Sequence, residues 1–249
     1  MTTAGFSTLG CPGVPIDNVL RLAQQYHADC VQLRIAQDEP VHTGLSARQR
    51  SGIRLKFSDA GVDFAALATY VKLSDPNLLG PLEQHLQLAS DLGAPALRLF
   101  PGDVEAEIAV QRLSCAVSTA EGSGVKITLE THDSYLAGAD IAGLLSASTA
   151  GAGAVWDVLH TWRSGEKLED SAAALGPYLA ELQIKDVPSK TDLRPVAPGN
   201  GEVPAREAID VAIAGGFSGP IIFEHEAKWR EDADAFEPSL AAAMALIRK

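Results

Sequence analysis

The chain has 249 residues, 46% of them hydrophobic and 21% charged, with a formal net charge of −12. This balance provides apolar side chain for a large core and excludes a disordered chain, while the negative charge would repel a phosphate backbone and argues against broad nucleic-acid binding. No apolar run approaches a membrane span, and the first residues lack the basic region and apolar stretch of a secretory signal, so the protein as given is expected in the cytosol.

In chain order, a β-type run at residues 4–9 precedes helical periodicity over 16–26, and a second run follows at 30–34. A third, 63–70, leads into a helix over 78–92; a fourth, 96–100, leads into a helix over 104–121. Further strands are predicted at 126–130, 153–157, 179–185 and 220–224, with a last helix over 239–248. Glycines at 61, 93, 122, 124, 215 and 216 punctuate the returns from helix to strand. Alternation of this kind implies a parallel sheet, and eight such units in a chain of this length favour closure into a single α/β (β/α)₈ barrel over an open doubly wound sheet. A glycine-rich phosphate loop, the usual support for an open nucleotide-binding sheet, is missing from the sequence. No linker divides residues 1–249, so one domain is expected. Cys11, Cys30 and Cys115 are odd in number and widely spaced, which suits buried or incidental thiols better than a disulfide framework or a zinc motif.

Four consecutive strands end in groups that can bind a cation: Glu130, Asp157, Gln183 and Glu224. In a closed parallel barrel the C-terminal ends of neighbouring strands converge on one pocket, so residues distant in sequence meet there. A lone acid at a strand end is commonly a solvated loop residue or a helix cap, but an apolar run that stops at a carboxylate, as in Ile221-Ile222-Phe223-Glu224, places charge beside a dry core and calls for a partner or a metal. Three carboxylates and one carboxamide oxygen suit Mn²⁺ or Mg²⁺ better than a structural zinc. The segment 188–204, rich in Pro, Gly and charge, follows the seventh strand and therefore lies at the same end of the barrel.

The pieces Leu129-Glu130, Asp157-x-x-His160, Gln183-Ile184-Lys185-Asp186, Pro198-Gly199-x-Gly201-Glu202 and Phe223-Glu224-His225-Glu226 together resemble the xylose-isomerase-like superfamily of sugar isomerases and epimerases. The resemblance implies a (β/α)₈ fold, a divalent metal held by Glu130, Asp157, Gln183 and Glu224, and a sugar-like substrate. Many members carry His where this chain has Gln183, and the Gln is similar to the hydroxypyruvate-isomerase-like branch. A neutral amide oxygen is a weaker ligand than imidazole for transition metals, which again tilts the choice toward Mn²⁺ or Mg²⁺.

By the same resemblance, Glu130 and Glu224 correspond to paired glutamates that act as ligands and as acid and base, and His160 to a substrate-contacting histidine. Lys185 shares strand parity with Gln183 and should point inward, either to neutralise a substrate anion or to offset the acidic cluster, whereas Asp186 faces the other way and orients a neighbour. Arg194 is a candidate for gripping a polyhydroxylated or anionic substrate. His132 and Glu226 share parity with Glu130 and Glu224 at the rim, and Trp162 and Trp229 are candidate substrate walls. Arg34 and Arg98 are read as structural ion-pair partners, for which the cluster carboxylates are available. His225 alternates away from the site.

The function expected is a metal-dependent isomerase or epimerase of a keto-sugar, a cyclitol ketone or a hydroxy-keto acid. A dehydratase of an inosose- or dehydroshikimate-like ketone, and a ligand-binding or accessory subunit without turnover, are the alternatives. Relatives often form dimers or tetramers, so homo-oligomers are expected too. The superfamily also holds DNA-binding apurinic endonucleases with histidine-rich zinc clusters, which six histidines and a charge of −12 disfavour.

Overall fold

A computed structural model describes residues 2–249. Its eight parallel strands are β1 Thr3–Ser7, β2 Cys30–Arg34, β3 Asp63–Lys72, β4 Ala96–Phe100, β5 Lys126–Glu130, β6 Gly153–Asp157, β7 Leu179–Ile184 and β8 Pro220–Phe223. They pair in sequence order, and β1 pairs with β8 through Thr3↔Pro220 to Phe6↔Phe223, which closes the (β/α)₈ barrel.

Among the described residues the outer layer is α1 Ile16–Gln25, α2 Ala47–Ala60, α3 Leu79–Leu92, α4 Ala106–Ala120, α5 Gly138–Ala147, α6 Val158–Ser164, α7 Leu168–Leu175, α8 Ala205–Ala214 and α9 Phe236–Ile247. On α4 the buried stripe is Ala109, Leu113, Ala116, Val117 and Ala120, a helical spacing, whereas α2 buries only Phe57. The barrel strands are buried on both faces, as all five residues of β2 and of β6 show.

Helix ends match their sequence signals. Ser46 and Gln49 form a reciprocal capping box at the start of α2, and Gly61 ends it at φ 65°, a left-handed position that a side chain would strain. Several runs differ from expectation at their ends: β7 stops at Ile184 and β8 at Phe223, α4 spans Ala106–Ala120 and α9 begins at Phe236. The first strand stops at Ser7, where a 3-10 turn over Thr8–Gly10 begins under a Ser7 side-chain cap, and β3 continues to Lys72.

The barrel interior is stratified by the two-residue period of its strands. Cys30, Ala65 and Ile222 form a small apolar plug. Gln32 and Glu181 are also buried in the interior, joined by a hydrogen bond, and the charged groups described next lie at the C-terminal mouth. Over that mouth runs the long connection from β7 to α8. Asp186 organises it: its carboxylate accepts the backbone N–H groups of Val187, Gly199, Gly201 and Val203 at 2.8 to 3.1 Å. A Cβ on Gly201 would lie 2.2 Å from Asp186 Oδ1 and from the Val187 carbonyl, so this turn requires glycine.

Candidate metal and catalytic site

β5 to β8 each deliver one polar group to the mouth. Glu130 ends β5, Asp157 ends β6, Gln183 lies in β7 directly across the ladder from Asp157, and Glu224 follows β8. All four are buried. One oxygen from each of Glu130, Asp157 and Glu224 lies within 4.8 Å of the others, a buried group able to hold a metal ion.

The oxygens are positioned by their own elements. Asp157 caps α6, its Oδ1 accepting the Leu159 N–H at 2.9 Å, which leaves Oδ2 turned to the cluster. Asp157 Oδ2, Glu130 Oε2 and Gln183 Oε1 are buried without an aligned hydrogen-bond donor. Of these, Asp157 Oδ2 and Glu130 Oε2 are met by the charges of Lys185 and Arg98, while Gln183 Oε1 has no partner, a cost that a cation would offset. The carboxylates that meet here fit a divalent cation.

Two cations balance the acids. Arg98 Nε stands 2.9 Å from Glu130 Oε2, while its guanidinium also donates to the Thr69 carbonyl at 2.9 Å and lies over the Phe100 ring. Lys185 Nζ lies 2.8 Å from Asp157 Oδ2 and 2.7 Å from Glu226, and also pairs with Glu224. Burial opposes the Lys185 charge, but Asp157, Glu224 and Glu226 together hold its ammonium well above the ordinary lysine range. Asp157 is in turn kept below the usual carboxylate range by Lys185 and His160 in spite of burial. Burial pushes the Glu130 carboxyl up to about 7, with Arg98 pulling it back and Glu224 adding repulsion.

His160 Nε2 is 3.4 Å from Asp157 Oδ2, and burial drives its pKa down to about 4, so the ring is neutral near pH 7. His132 packs edge-on to His160 with ring centroids 4.7 Å apart. Burial works against its charge, but Asp133, 3.1 Å away, and Glu130 raise it above the ordinary histidine value. One ligand atom from each of Glu130, His132 and His160 also lies within 4.8 Å of the others, a second group able to hold a cation.

The other expected site residues lie further out. Arg194 reaches Asp234 at 3.3 Å, tying the loop after β7 to the segment after β8. The Trp162 ring packs on the core with Lys190 Nζ 5.0 Å above it. Arg34 does not use the cluster carboxylates; it pairs with Glu39 and Asp38 of its own loop and bonds the Tyr70 hydroxyl at 2.7 Å, because those acids follow β2 directly. Trp229 is exposed and lies beside Arg34. His225 is enclosed by Phe223 and Phe236, away from the carboxylates.

Sequence reasoning missed Gln32 and Glu181. Glu181 Oε1 accepts the side-chain N–H groups of Gln32 at 2.5 Å and Gln183 at 2.9 Å, and burial pushes its carboxyl up to about 8. The signal was available in strand parity, since Glu181 is two residues before Gln183 and shares its inward face.

The family of xylose isomerase-like TIM barrels matches residues 20–248. The chain belongs to this family. No curated protein matches the sequence. Solved structures match its fold at low identity. The D-psicose 3-epimerase of Clostridium cellulolyticum H10, solved with D-tagatose, superposes with a TM-score of 0.82 at 14% identity, over 99% of this chain and 98% of the other. The probable 3-DHS dehydratase AsbF of Bacillus anthracis, involved in petrobactin synthesis, gives 0.80 at 17% over 100% and 99%. The IOLI protein with a binding zinc atom gives 0.81 at 16% over 98% and 96%.

Proposed function

We propose that this protein is a divalent-metal-dependent isomerase or epimerase that moves a proton beside the carbonyl of a keto-sugar, cyclitol ketone or hydroxy-keto acid. The observation that carries the reading is the convergence of Glu130, Asp157 and Glu224 within 4.8 Å at the barrel mouth, with the Gln183 Oε1 buried and without a partner. Glu130, Asp157, Gln183 and Glu224 would hold the ion, Mn²⁺ or Mg²⁺ by the oxygen-only donor set. When bound, such an ion supplies Lewis-acid polarisation of a substrate carbonyl and its neighbouring hydroxyl.

The chain's own residues supply the proton traffic. Glu130 and Glu224, the two glutamates of the cluster, are the pair that takes and returns the proton. Lys185 offsets charge that builds on a substrate oxygen, and neutral His160 can donate to or accept from a hydroxyl. His132, beside His160 and Glu130, is a further substrate contact. Arg194, on the loop after β7, and Trp162, on α6, are the proposed outer substrate contacts. The occurrence of epimerases on the same barrel supports the reading.

Loss of the same proton also begins a dehydration, so the decisive experiment separates the two outcomes. The Mn²⁺-loaded protein is incubated in D₂O with a panel of keto-sugars, inososes and hydroxy-keto acids, and products are weighed by mass spectrometry. The proposal expects deuterium at the carbon beside the carbonyl and no loss of water. Loss of water would assign a dehydratase instead. Glu130→Gln and Glu224→Gln, each checked for metal content, should lose turnover far more than substrate binding. Near wild-type turnover in both metal-loaded variants would exclude the two-glutamate mechanism.

A further inference from the structure

Beneath the carboxylate cluster, Gln32, Glu181 and Gln183 make a polar layer in the barrel interior, fully or almost fully closed to solvent. A carboxamide has an acceptor end and a donor end of nearly equal shape, so a buried glutamine offers its oxygen to a cation only if something else fixes the amino end. Here Glu181 Oε1 receives both the Gln183 Nε2–H at 2.9 Å and the Gln32 Nε2–H at 2.5 Å. Turning the Gln183 amide over would set its oxygen against this acceptor and point two N–H donors at the carboxylate cluster. With the bond in place, Gln183 Oε1 is left buried without a donor of its own.

We infer that Glu181 is a positioning residue that locks the Gln183 carboxamide with its oxygen toward the metal cluster, and that Gln32 braces Glu181 from β2. The inference rests on the reading of Gln183 as a ligand under Proposed function. It makes the preference for an oxygen-seeking ion depend on a residue two positions earlier on the same strand. Glu181→Leu frees the amide, while Glu181→Gln keeps an acceptor oxygen for both neighbours.

The test is Mn²⁺ binding by calorimetry to the full-length wild type, Glu181→Leu, Glu181→Gln, Gln183→Leu and the Glu181→Leu/Gln183→Leu double variant, with folding checked by circular dichroism. Loss of a group that orients a ligand weakens metal binding by about 10- to 100-fold, and this is expected for Glu181→Leu. Glu181→Gln should recover most of it. In the Gln183→Leu background the Glu181→Leu change should cost nothing more, because its only route to the ion is gone. If Gln183→Leu weakens binding but Glu181→Leu does not, or if the two losses multiply, the positioning role is overturned while Gln183 remains a ligand. If Gln183→Leu binds like the wild type, both the ligand reading and the inference fall.

Discussion

The raised Glu130 carboxyl links metal binding to pH. Burial and the Glu224 charge hold its proton up to about pH 7, and a bound cation must displace that proton. Metal affinity should therefore fall as pH falls through 7, in the direction set by competition between proton and ion. For one competing proton with a pKa of about 7, binding at pH 6 releases roughly 0.9 proton and binding at pH 8 roughly 0.1, and the apparent affinity is about tenfold weaker at pH 6. His132, raised above its ordinary value by Asp133 and Glu130, contributes in the same direction. Lys185 does not, because its three carboxylates keep it charged throughout this range. Isothermal titration with Mn²⁺ in two buffers of different ionisation enthalpy measures the proton release directly. Glu130→Gln should bind more weakly overall and lose most of the pH slope, leaving the part due to His132. Equal affinity at pH 6 and pH 8 with no proton release in the wild type would refute the argument that Glu130 sits protonated in the metal-free site.

Three further outcomes are expected. Glu181 is held at about 8 against its ordinary 4.5, so its contribution to metal-free stability is full below about pH 4.5 and is lost as pH rises to 8, by up to about 5 kcal/mol; Glu181→Gln should flatten that part of a urea-denaturation profile. Lys185→Met leaves Asp157, Glu224 and Glu226 without their shared cation and should cost the metal-free protein about 3 kcal/mol or more, with saturating Mn²⁺ raising the melting temperature of the variant more than that of the wild type. Asp186→Ala deprives four backbone N–H groups of their acceptor and should cost about 3 kcal/mol in chemical denaturation. An unchanged midpoint would show that water replaces the carboxylate without loss.

The sequence by itself determined the barrel and the three carboxylates that meet at its mouth. Eight apolar runs of strand length, separated by helical periodicity and glycine returns, leave few ways to bury both faces of a parallel sheet in 249 residues. Glu130, Asp157 and Glu224 were legible because each ends a run that is otherwise apolar, and a charge in such a place needs a reason. Only the tertiary structure decided the pairings. Arg34 and Arg98 look alike in sequence, each near the end of a strand, yet Arg34 turns to Asp38 and Glu39 of its own loop while Arg98 reaches Glu130 on the adjacent strand. Lys185 gathers carboxylates from β6 and from the segment after β8, and Glu181 joins amides from β2 and β7 across the barrel interior. These partners are separated by up to 149 positions. Strand parity fixes which way a side chain points, but barrel closure fixes what it meets there, and the charges and hydrogen bonds that tune the site depend on the second of these.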